Sequence, residues 1–125
     1  MLQFDPKSVD LTEFEGKFVE NTFLASLKGD AKKLGDKIVY DALKLFYCYK
    51  SSNTPIMEKS TIAGALGYLV APFDAIPDSM PVYGLADDAA ILNMALESVA
   101  LYVGGDVEEM AKRKLGEWFE NTTIR

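Results

Sequence analysis

The sequence predicts an all-α protein: a compact bundle of about five helices with a stiff Pro/Asp-rich turn between helices three and four. Three observations carry this expectation. Apolar residues recur at helical spacing along most of the chain, clusters of Gly, Pro, Ser and Asn divide the periodic stretches, and no alternating run is long enough for a sheet.

Ser8 or Asp10 is placed to cap helix one, which runs to about Lys28 with Leu11, Phe14, Phe18, Phe23, Leu24 and Leu27 on its apolar face and Gly29 as its stop. Asp30 then caps helix two, where Leu34, Ile38, Ala42, Leu45 or Phe46, and Tyr49 recur opposite Lys33, Lys37, Asp41 and Lys44. The run Ser51, Ser52, Asn53, Thr54, Pro55 is turn chemistry, with Thr54 as cap and Pro55 at the first position of helix three. Helix three continues to about Ala71 on the core stripe Ile62, Leu66, Leu69 and Phe73, while Ala63, Gly67 and Ala71 form a second face of small residues suited to tight internal packing.

Residues 85–103 are apolar almost all round, which places helix four at the centre of its own fold or against a partner or membrane surface. Gly104 and Gly105 end it. Asp106 caps the last helix, whose stripe is Val107, Met110 or Ala111, Leu115 and Trp118. A chain of 125 residues fits one domain, residues 1–125, with no linker dividing it.

Bulk properties remove several function classes. The net charge is −6 and the pI about 4.6, so affinity gained by neutralising phosphates with Lys and Arg is not expected, and nucleic acid is not an expected partner. Residues 51–104 hold six acids and one base and so supply −5 of that charge. With no histidine and one cysteine, the chain lacks both a His-based nucleophile pair and the nitrogen and sulfur ligands of an ordinary zinc site. Cys48 reads as a small core residue, and a reducing, cytoplasmic compartment is the simpler assumption. No secretion signal opens the chain, and the longest uncharged stretch, residues 60–73, is 14 residues interrupted by Gly64, Gly67 and Pro72, too short to span a membrane.

The most informative segment is residues 72–88, PFDAIPDSMPVYGLADD. Pro72, Pro77, Pro81 and Gly84 forbid a continuous helix there, and proline stiffens the turn by fixing φ. Asp74, Asp78, Asp87 and Asp88 admit two readings. They gather around one hard cation, Mg²⁺ or Ca²⁺, or each acts locally, Asp74 and Asp78 capping short turns while Asp87 and Asp88 sit in the first turn of helix four. The local reading is favoured, and on it no cofactor is expected.

The stretch LGYLVAPFDAIPDSMPVYGLADDAAIL resembles the signature of the YkvA-like family of small bacterial proteins, the domain of unknown function 1232. Tyr68, Pro72, Asp74, Ile76, Pro77, Asp78, Pro81, Gly84, Asp87 and Asp88 match its pattern, whereas Ala71, Ala75 and Ser79 depart from it. The resemblance covers about residues 45–103, including KLFYCYKSSNTP, and implies a helical hairpin held by the Pro/Asp turn, in a family with no established activity.

Two functional expectations follow. The first is a non-catalytic interaction or structural module, acting through self-association, a partner helix or a membrane surface without spanning it. The second is a divalent-cation site, with hydrolysis as its extension, built from the turn aspartates. The absence of a Gly-rich phosphate loop and of a nucleophile beside a base leans the expectation away from an enzyme, with no catalytic residue assigned.

Overall fold

Gly35 is where the first half of the chain bends. Its φ of +89° is a conformation that residues with a Cβ rarely adopt, and it separates α1, Glu20–Leu34, from α2, Asp36–Lys50. The Gly35 N–H donates to the Ala31 carbonyl at 2.9 Å, and its own carbonyl accepts from Val39 N–H at 3.1 Å, so one residue ends a helix and begins the next. The expected stop at Gly29 and cap at Asp30 are thereby corrected. Phe23, Leu27 and Ala31 form one continuous buried stripe, and the gain from burying it outweighs the roughly 1 kcal/mol that an interior glycine costs.

The computed structural model describes residues 15–16, 18–70 and 85–119, with the backbone alone for residues 85–88. Three further helices follow: α3, Ile56–Val70; α4, Leu85–Ser98; and α5, Gly105–Trp118. A short 3-10 turn, Ala100–Tyr102, joins α4 to α5, and no strand occurs among the described residues. The expected helix one begins later than predicted, at Glu20; Leu11 and Phe14 lie outside the described residues. Phe18, just before α1, is buried edge-on against Phe23, Phe46 and Tyr49, with centroids 5.3, 6.4 and 5.0 Å away.

α2 is the axis of the bundle and packs against all four other helices. That is why Val39, Leu43 and Asp41 are buried along with the expected Ile38, Ala42, Leu45 and Phe46. The side of α2 opposite the predicted apolar face is therefore only partly a solvent face: Lys37 is exposed, but Asp41 is buried. α4 packs on both α2 and α3, and its Ile91, Leu92 and Ala95, with Val99 just after it, are fully enclosed. Helix four thus buries one face against α2 and α3, while Asn93, Glu97 and Ser98 are exposed.

Two further predicted helix ends shift. α4 stops at Ser98, whose hydroxyl donates to the Met94 carbonyl at 3.1 Å, and the chain tightens into the 3-10 turn instead of continuing to residue 103. α5 is capped by the extended backbone of Gly104, with Asp106 inside the first turn, so the assignment of Asp106 as cap is corrected. The α5 stripe is Val107, Ala111 and Leu115, which settles the choice between Met110 and Ala111.

Candidate functional site

The segment singled out by sequence is the connection from Val70 to Leu85. Pro72, Asp74, Pro77, Asp78, Pro81 and Gly84 lie outside the described residues. Asp87 and Asp88 belong to the first turns of α4, as expected, and their side chains also lie outside the description. The ends of the connection are placed by the helices. α3 rises away from the turn at residues 51–55, over about 20 Å at 1.5 Å per residue, and α4 returns to that turn. Val70 and Leu85 are thus at the pole of the bundle remote from residues 51–55. Among the described residues no group of three or more His, Cys, Asp or Glu side chains is placed to hold a metal ion.

Three features lie within the described residues, and none of them is among the candidate sites that the sequence offered. The first is a charged cluster in the middle of α2. Asp41 has a side chain only 6 % exposed, and its Oδ2 accepts a 2.6 Å hydrogen bond from Lys37 Nζ one turn earlier. Its Oδ1 lies 3.5 Å from Lys44 Nζ, an ion-pair distance. Lys44 also sits 4.5 Å from the centroid of the Tyr40 ring, a cation–π contact that holds its stem along the helix. Burial, followed by the negative charges of Glu108 and Asp41, pushes the Tyr40 phenol above its ordinary range. The helical spacing of Lys37, Asp41 and Lys44 was visible in the sequence; the burial was not, because it depends on α2 being surrounded.

The second feature is a node at the C-terminal end of α2. The Thr54 hydroxyl donates to the Cys48 carbonyl at 2.7 Å, and its oxygen lies 3.4 Å from the Cys48 sulfur. The Cys48 thiol reaches the Tyr102 carbonyl at 3.6 Å. Thr54 was expected to cap α3; its hydroxyl instead turns back and satisfies a carbonyl in the last turn of α2. One buried thiol and one buried hydroxyl therefore tie together α2, the following turn and the 3-10 turn after α4. Burial raises the Cys48 pKa, with the Thr54 hydrogen bond opposing it, so the thiol is protonated and unreactive at neutral pH. This agrees with the reading of Cys48 as a core residue.

The third feature surrounds that node. Ile56 and Met57 open α3 two and three residues after Thr54, and Leu101 immediately precedes Tyr102. Their exposures are 81, 80 and 92 %. A cleft of about 490 Å³ at the end of α2 is lined by Tyr47, Lys50, Ser51, Ser52 and Asn53 from that helix and its turn, and by Asp106 and Met110 from α5. A sequence signal for Ile56 and Met57 did exist. At 100° per residue both fall well off the Ile62, Leu66, Leu69 stripe, so α3 cannot turn them inward with its core face. This pole offers apolar side chains and a mixed-charge rim, and no arrangement of nucleophile and base.

Residues 58–94 match the model of the family described as protein of unknown function, DUF1232. The match falls inside the region of about residues 45–103 over which the resemblance was read, and the YkvA-like name is consistent with it. It covers most of α3, the whole Pro/Asp connection and the first ten residues of α4, and leaves out the Cys48 to Thr54 segment. No curated protein and no solved structure matches the chain.

Proposed function

We propose that this chain is a non-catalytic interaction module whose contact surface is the pole formed by the turn at residues 51–55, the start of α3 and the 3-10 turn before α5. One observation carries the reading: Ile56, Met57 and Leu101 are 80 % exposed or more, the first two following Thr54 and the last preceding Tyr102, the two partners of Cys48. Large apolar side chains left in water at one place on a small protein mark a surface that is covered in use. The other apolar candidate, α4, buries Ile91, Leu92 and Ala95 inside the bundle.

The chemistry favours a protein partner. A net charge of −6 repels nucleic acid and anionic lipid, and the rim of this pole has no surplus of lysine to offset it. Among the described residues no helix is long and apolar enough to cross a membrane. A lone, buried, protonated thiol supports a reducing cytoplasmic compartment.

A photo-crosslinking residue placed at position 57 or 101 in the producing cell, with exposed Lys32 as the control position, tests the reading. Adducts of defined mass from positions 57 and 101 and none from 32 are expected. Absence of adducts at all three positions overturns the proposal.

A further inference from the structure

We draw no further inference here: the strongest candidate, the exposed apolar surface of Ile56 and Met57 at the start of α3 and of Leu101 in the 3-10 turn, belongs to the contact surface already described, and nothing in the structure shows what covers it.

Discussion

The Thr54 hydroxyl and the Cys48 carbonyl, six residues apart, form a 2.7 Å hydrogen bond inside the bundle, and this bond closes the turn that positions the exposed pole. Both groups are buried, so losing the hydroxyl leaves the carbonyl with the Ser51 N–H at 3.1 Å alone and no water to supply the second bond. Thr54→Val keeps the side-chain shape and removes the hydroxyl. It is expected to lower stability by about 1–2 kcal/mol in urea denaturation, whereas Thr54→Ser, which keeps the donor, should lose less than half of that. Equal losses in the two variants would mean that the methyl group, not the hydrogen bond, holds the turn.

Asp41 separates a buried charge from an exposed one. Lys44 is 18 % exposed and Lys37 is 72 % exposed, and both reach the same carboxylate. Asp41→Asn leaves Lys44 half-enclosed without a counter-charge and is expected to cost about 2–3 kcal/mol, below the full figure for a wholly buried pair. Lys37→Ala removes a solvated partner and should cost about 0.5 kcal/mol or less. Equilibrium unfolding of both variants measures the difference, and a larger loss for Lys37→Ala would contradict the burial argument.

Gly29 and Gly35 should respond in opposite directions to alanine. Gly29 lies inside α1 with nothing within 4 Å of the added Cβ, so Gly29→Ala is expected to raise stability by about 0.5–1 kcal/mol. Gly35 also has open space around it, but its φ of +89° makes Gly35→Ala a backbone penalty of about 1–3 kcal/mol. Thermal melts of the two single variants decide where the first helix ends. A destabilising Gly29→Ala would restore the break to that position.

Alkali should destabilise the protein before acid chemistry is involved. Burial raises the pKa values of Cys48 and Tyr40 in the folded state, so the unfolded chain releases those protons first. The stability linked to them is fully present below the ordinary values of about 8.5 and 10, and is lost as pH rises through the higher folded values. Melting temperature is expected to hold up to about pH 8 and fall above it, and Cys48→Ala should delay the start of the fall toward the tyrosine range. A profile unchanged by Cys48→Ala would show that the thiol is not desolvated.

The elements were legible in the sequence where one face of a helix does the packing. Val107, Ala111 and Leu115 in α5 and Ile62, Leu66 and Leu69 in α3 lie on the stripes their spacing predicts. Legibility failed where tertiary context decides. Periodicity cannot tell that α2 packs against four helices, so Asp41 read as a solvated residue although it is buried. Local propensity stopped the first helix at Gly29, whereas burial of Phe23, Leu27 and Ala31 carried it to Gly35. The pole was hidden for a further reason: Tyr102 is 54 residues from Cys48 along the chain, and only the fold brings it to the end of α2.

The Pro/Asp connection supports a separate prediction. Asp87 and Asp88 occupy the third and fourth positions of α4, where a carboxylate interacts favourably with the helix N-terminus without any ligand. If Asp78 and Asp87 act as local caps, Asp78→Ala and Asp87→Ala should each lower stability by about 1 kcal/mol, and millimolar Mg²⁺, Mn²⁺ or Ca²⁺ should leave the melting temperature of the unsubstituted chain unchanged. A cation binding only the folded state at about 100 times its dissociation constant would instead add about 2.7 kcal/mol, a shift of several degrees for a chain this size. Calorimetric melts with and without each cation distinguish the two. A rise abolished by both alanine variants would make the connection a metal site and would demand a search for hydrolytic chemistry there; no rise, with both variants weakened, confines the aspartates to holding the α3–α4 hairpin.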